Sequence, residues 1–289
     1  MKLILGIPKG SLQNATVLLF KKAGFNIVIN ERSLIPSIDD DEISLRLLRA
    51  QEIPRYVDEG ILDAGLTGKD WIKENNAKVQ EIIDLIYAKQ GLRPVRWVLA
   101  VPEHSHIQTI KDLNGKKIAT ELVNVTKQYL KKNNIKAKVE YSWGSTEIKA
   151  PEFVDAIVEL TETGASLNAH KLRIIDTLLE STTKLIANKK SWKNLWKHKK
   201  IESLSILLQG ALLAEQMVGL KMNIHKDNLP KILELLPALK KPTISHLSNE
   251  NWIAIDTIIN EKSVKKLIPD LKRAGAQGIV EYPLNKVIY

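Results

Sequence analysis

The segment Asp155-Ala-Ile-Val-Glu159-Leu-Thr161-Glu162-Thr163-Gly164-Ala165-Ser166-Leu167 sets two carboxylates four residues apart, just before a turn of small and hydroxyl residues. Side chains alternate along an extended strand, so Asp155 and Glu159 are expected on one face. The Thr/Gly/Ser run lets backbone N–H groups approach a ligand closely. Its hydroxyls add donors, and a helix opening at Ser166 would favour a phosphate at its N-terminus. Two carboxylates leading into such a cradle suit a phosphorylated sugar, with the acids on hydroxyls or on a magnesium ion. An ordinary edge strand followed by a polar turn is the alternative. No Walker loop is present, and no Rossmann glycine fingerprint follows the first strand.

The elements that must position this segment read as α/β. Lys2 to Ile7 is a short apolar strand, Pro8-Lys9-Gly10-Ser11 a turn, and Leu12 to Ala23 a helix stopped by Gly24. Phe25 to Ile29 reads as the next strand, giving the strand–helix–strand opening of a parallel sheet. Further strands are predicted at 63–68, 97–101, 116–120, 138–141 and 154–160, with helices at 54–59, from Lys69, and at 124–132. The strand near 97 starts a fresh sheet, so the body is expected to be two-lobed. The last part changes character. Strand, helix, two strands, helix and strand from Leu220 to Glu281, followed by a further strand read at 286–288, form the βαββαβ order of a ferredoxin-like module. Residues 189–219 read as one or two helices leading to it.

Composition narrows the function classes. The chain has 289 residues and no cysteine, which excludes disulfides, thiolate metal sites and a cysteine nucleophile. No apolar run is long enough to span a bilayer, and Leu3 to Ile7 is too short for an export signal, so a soluble cytoplasmic protein is expected. The net charge of +10 admits an anionic partner. Lysines are spread along the whole chain, however, and Lys193 to Lys200 with its two tryptophans reads as an amphipathic helix rather than a nucleic-acid surface. His104 and His106, two apart in a loop, read as exposed polar residues rather than a metal pair.

The run from Asp155 to Leu172, DAIVELTETGASLNAHKL, resembles the phosphoribosyl pyrophosphate loop of the ATP phosphoribosyltransferases. Four further stretches, IPKGSL at 7–12, LRAQEIPRYVDEGILDAGLTGKDW at 48–71, ATELVNVTKQYL at 119–130 and WGSTEIKAPEFVDAI at 143–157, resemble that family's other blocks in order and spacing. PTISHLSNENWIAI at 242–255 is similar to the regulatory domain of its long form. The resemblance implies a catalytic body like the lobes of periplasmic binding proteins, with residues 1–92 plus 182–212 as one lobe and 93–181 as the other. Residues 213–289 would be the ferredoxin-like regulatory domain. It further implies transfer of phosphoribose to N1 of ATP with magnesium, in the first step of histidine biosynthesis. Histidine would act as feedback inhibitor and the assembly would be a homohexamer, with dimers possible. No nucleic acid or membrane partner is implied.

Roles follow on that resemblance. Thr161, Glu162, Thr163, Gly164, Ala165, Ser166 and Leu167 would form the phosphoribosyl pyrophosphate site. Asp155 and Glu159 would face the ribose hydroxyls or the magnesium shell, and Lys9 would neutralise phosphate oxygens. Arg49, Lys69, Glu121 and Glu147 are the nucleotide candidates. Asn223, Leu239, Thr243, Ile258 and Gly278 match the histidine site. The competing readings are a solute sensor on the same two lobes and a nucleic-acid binder with a steep salt dependence.

Overall fold

The computed structural model describes residues 1–30, 35–87, 94–237 and 242–288. The chain forms two compact units, Met1–Lys21 with Phe25–Ser205, and Lys22–Gly24 with Ile206–Tyr289.

In the first unit the chain runs β1 (Leu3–Lys9), α1 (Gln13–Ala23), β2 (Ile27–Val28), β3 (Ser37–Ile38), β4 (Ile43–Arg49), α2 (Ile53–Asp58), β5 (Ala64–Gly68), α3 (Lys69–Glu74) and β6 (Gln80–Leu85). It continues through β7 (Val95–Pro102), β8 (Lys117–Thr120), α4 (Val123–Lys132), β9 (Lys138–Tyr141), β10 (Ala156–Thr161), α5 (Ala165–Ala169) and β11 (Leu172–Ser181). It then returns through β12 (Thr183–Ala187) and α6 (Lys189–Lys193) into α7 (Leu195–Ala214), whose residues from Ile206 on belong to the second unit. Two five-stranded mixed sheets result, ordered β4-β1-β5-β12-β6 and β11-β7-β10-β8-β9. This is the two-lobed α/β plan.

Burial explains the sheets. Leu3, Leu5, Ile7 and all of β5 are buried, as parallel strands covered on both faces require. In the second sheet Val98 to Val101 and Ala156 to Val158 form an equally continuous apolar centre. Glu74, at the end of α3, ties the two sheets together. Its carboxylate accepts from the Asn124 and Val125 amides at 2.9 and 3.0 Å, supplying the N-terminus of α4 with the anion it favours.

Several expectations need correction. The strand at Phe25–Ile29 shrinks to Ile27–Val28 and pairs only with β3, as a separate two-stranded ribbon. The parallel neighbours of β1 are β4 and β5. Five strands lie outside the sequence reading: β3, β4, β6, β11 and β12. Residues 284–288 form no strand. The basic segment is partly neutralised: Lys197 pairs with Asp63 at 2.6 Å, and Lys200 with Asp40 and Glu42 at 2.8 and 2.7 Å.

The second unit contains β13 (Met217–His225), α8 (Leu229–Leu235), β14 (Thr243–His246), β15 (Trp252–Asn260), α9 (Glu261–Arg273) and β16 (Gln277–Pro283). Its antiparallel sheet has the order β14-β15-β13-β16, the ferredoxin-like arrangement. The Asn260 side chain caps α9, accepting from the Lys262 amide at 3.0 Å. Val264, Leu267 and Leu271 then bury one helix face against Leu220, Met222, Ile224 and Ile255.

Candidate active site in the interlobe cleft

Parallel strands deliver the site. β1 and β4 end together, with Lys9 and Arg49 in register, and β5 ends at Gly68. In the other sheet β10 and β8 run parallel with Val158 beside Thr120, so Glu159 and Glu121 follow at the same level. Ligands of open α/β sheets bind beyond such carboxyl ends. One cleft is lined by Lys9, Arg49, Glu121, Glu159 and Glu162, with Ser11, Gln51, Asp70, Trp97 and Thr182 among its other walls.

Glu159 is half-buried there. Burial pushes its carboxyl above the usual range. Hydrogen bonds from the Leu160 amide, at 2.9 Å, and from Thr146 pull the other way, while the nearby acids Glu147 and Glu121 push it further up. Opposite, Lys9 and Arg49 are exposed cations. The cleft thus sets acids on one wall against bases on the other.

The turn after β10 is built by its own hydroxyls. The Thr161 hydroxyl accepts from the Gly164 amide at 2.7 Å, and Thr163 from the Ala165 amide at 3.3 Å. A hydroxyl that accepts keeps its own proton to donate. Gly164 has φ +84, a left-handed conformation that a side chain would strain. Ser166 donates to Glu147 at 2.8 Å, which accounts for both residues in one contact. Leu167 faces the core, 1% exposed among Val98, Ala119 and Ile157, so only its backbone is available to a ligand. The helix α5 is only five residues long. The local amides and hydroxyls, rather than a helix dipole, are what the turn offers.

Asp155 is not among the residues lining this cleft. It precedes β10, accepts from the Lys117 amide at 2.8 Å, and stands 3.5 Å from the Lys116 ammonium beside a separate hollow with His104 and His106. Four residues of strand separate it from Glu159 by about 13 Å. Lys69 opens α3 and its amide donates to the Thr182 carbonyl at 3.0 Å, but its side chain is not part of the lining.

Asp70 lines the same cleft and is not singled out by the sequence reading. Its carboxyl is 4% exposed and accepts from the Trp97 indole at 2.6 Å and the Trp71 amide at 2.9 Å. Burial pushes its pKa up, against those hydrogen bonds. The signal was its place beside Lys69 in the TGKDW run.

In the second unit β13 and β15 turn alternate residues to the core. Asn223, Ala254 and Ile258 therefore face away from it, as does Thr243, which pairs with Asp256. The structure brings Asn223 and Gly278 together: a Cβ on Gly278, whose φ is +55, would lie 3.7 Å from the Asn223 amide nitrogen. Ile258 lies level with Gly219, four residues along β15 from Ala254. Leu239 lies outside the described residues.

Among the described residues no three His, Asp or Glu side chains converge as a metal cage. Magnesium does not need one, because it keeps several waters and takes one or two carboxylates plus substrate phosphates. Glu159 and Glu121 in an open cleft fit that donor set.

Comparison with known proteins finds relatives along the whole length of the chain. The HisG family, described as ATP phosphoribosyltransferase, matches residues 49–210, and the HisG C-terminal domain matches 214–286. The ATP phosphoribosyltransferase of Thermodesulfovibrio yellowstonii is 63% identical over 284 residues, covering 98% of this chain and 97% of the relative. That of Solibacter usitatus is 60% identical over 288 residues and covers both chains fully. Among solved structures, the ATP phosphoribosyl transferase (HisG:HisZ) complex from Thermotoga maritima superposes with a TM-score of 0.62 at 28% identity, over 72% of this chain and 96% of that one. With both HisG domains present in one chain, the protein belongs to the ATP phosphoribosyltransferase family, in its long form.

Proposed function

We propose that the protein joins C1 of phosphoribosyl pyrophosphate to N1 of ATP in the interlobe cleft. The observation that carries this reading is the convergence of Lys9, Arg49, Glu121, Glu159 and Glu162, from four separated motifs, on one cavity beside the Thr161–Ser166 turn. The N1 lone pair forms the C1–N1 bond as the C1–O bond breaks, and the bonding electrons leave with pyrophosphate. Charge builds on the leaving group and on the sugar carbon, so catalysis is positioning and electrostatic stabilisation.

The turn holds the 5-phosphate through its hydroxyls and amides. Glu159 faces the ribose, its carboxylate oxygens accepting from sugar hydroxyls and opposing the positive charge on C1. Lys9 and Arg49 draw the phosphates to the other wall, and Glu121 orients the nucleotide. Glu159 and Glu121 would hold magnesium, which when bound neutralises pyrophosphate charge. Lobe boundaries at 1–92 plus 182–212 and at 93–181 belong to this reading, although 92 and 93 lie outside the described residues.

The antiparallel domain is the regulatory part of the proposal. Histidine would bind on its open face at Asn223, Thr243, Ile258 and Gly278, and inhibit by preferring one state of a homohexamer. The place of action would be the cytoplasm, in the first step of histidine biosynthesis. Among the described residues no helix is long and apolar enough to cross a membrane.

The test is pyrophosphate release with ATP, phosphoribosyl pyrophosphate and magnesium, with and without histidine. Release that needs both substrates and falls with histidine supports the whole reading. Release indifferent to histidine removes the regulatory half. No release from folded protein overturns the enzyme half and favours a solute sensor.

A further inference from the structure

The strand next to β8 ends in aromatics that the site described above does not use. β9 runs parallel to β8 with Tyr141 level with Thr120, so the chain after Tyr141 emerges beside Glu121. Trp143 is 91% exposed, and its ring meets that of Tyr141 edge-on, with centroids 4.7 Å apart at 73°. The loop that carries it is braced. Ser142 and Thr146 are fully buried and bond to each other through their hydroxyls at 2.8 Å, the Lys149 ammonium donates to Ser142 at 2.6 Å, and the Ser142 amide donates to the Thr120 carbonyl at 2.9 Å. Gly144 and Ser145, between the exposed indole and the buried Thr146, have positive φ of +114 and +49. Tyr141 is near the cleft: its phenol titration, raised mainly by burial, also responds to Glu121, Arg49 and Glu74. From Glu159 to this loop is two strand spacings, about 10 Å, within reach of a nucleotide whose ribose-facing end lies at Glu159.

We propose that Trp143, steadied edge-on by Tyr141, is the platform on which the purine base of the nucleotide substrate stacks at the outer rim of the cleft. The inference rests on the functional reading above and adds the group that selects a base-bearing triphosphate. An exposed indole on a braced loop loses little freedom when a flat ring covers it, and base–aromatic stacking is tolerant of in-plane placement.

The test is titration calorimetry of wild type, Trp143→Ala and Trp143→Phe with three probes: ATP with magnesium, phosphoribosyl pyrophosphate with magnesium, and inorganic tripolyphosphate. The expected result is that Trp143→Ala weakens ATP about tenfold or more. Trp143→Phe should recover most of that loss, and the two base-free probes should bind all three proteins alike. Unchanged ATP affinity in Trp143→Ala overturns the proposal, and so does equal weakening of all three probes. A change in oligomer mass with ATP binding intact also overturns it, and marks Trp143 as a contact between copies. Pyrophosphate release by the wild type is measured in parallel: its absence counts against the transferase reading alone, since base-dependent ATP binding would still stand.

Discussion

Glu159 and Asp155 stand at opposite ends of the rungs that β10 shares with β8, with the same kind of side chain, yet they meet different surroundings. Glu159 follows the last shared rung of β10 and β8, where parallel strands end over a cleft. There burial raises its pKa and the acids nearest to it add to the rise. Asp155 precedes the first rung. The Lys117 amide and the Lys116 ammonium take up its charge, which ties the start of β10 to the start of β8. Period two says which face a residue shares with another. It does not say which end of the strand the ligand uses. Strand direction favours the carboxyl end, because ligands of open α/β sheets bind beyond the carboxyl ends of the parallel strands.

The largest effect should come from that contrast. Glu159→Ala is expected to lower the initial rate of pyrophosphate release by about 10²–10³-fold, the scale of losing one electrostatic contact to a transition state. Asp155→Ala should stay within about threefold when assayed below its melting point, and lose about 1 kcal/mol of stability as the partly exposed pin on Lys117 is removed. Equal losses in both variants would break the comparison. Leu167→Ala comes next. It should cost about 2–4 kcal/mol in denaturant unfolding because its side chain fills core space beneath the turn. Gly164→Ala should cost about 1–2 kcal/mol for a side chain at positive φ. It should also raise KM for phosphoribosyl pyrophosphate while leaving ATP affinity intact.

The smallest effect is in pH dependence. The folded-state pKa of Glu159 is raised, so its protonated form favours folding and that contribution fades as pH rises through the folded pKa. Glu159→Gln, which mimics the protonated form, should match wild type at low pH and melt higher than wild type at neutral pH. Melting curves from pH about 4 to about 8 would check the sign.

How much was legible in the sequence varied with the kind of regularity available. The βαββαβ module could be read because its helices repeat at i, i+3, i+7 and its core strands alternate cleanly. β11 escaped because two register shifts, at Ile174/Asp176 and Thr177/Leu179, break period two. β12 is buried throughout its five residues, so it has no alternation to read. β4 does alternate, with Ile43, Leu45 and Leu47 inward, but its Leu and Arg content also suits a helix. The turn after β10 is visible from composition, as is its glycine. The inward turn of Leu167 and the use of Ser166 to hold Glu147 are not, because both depend on what packs beneath the loop. Asp70 needed the third dimension altogether, since its partner Trp97 is 27 residues away on another sheet.

The most direct measurement is amide hydrogen exchange with and without phosphoribosyl pyrophosphate and magnesium. The account predicts new protection at residues 159–167 and 119–122, around the carboxyl ends of β10 and β8, and none at 102–107 and 151–155 around Asp155. Protection confined to the Asp155 end, or equal at both ends, would contradict it.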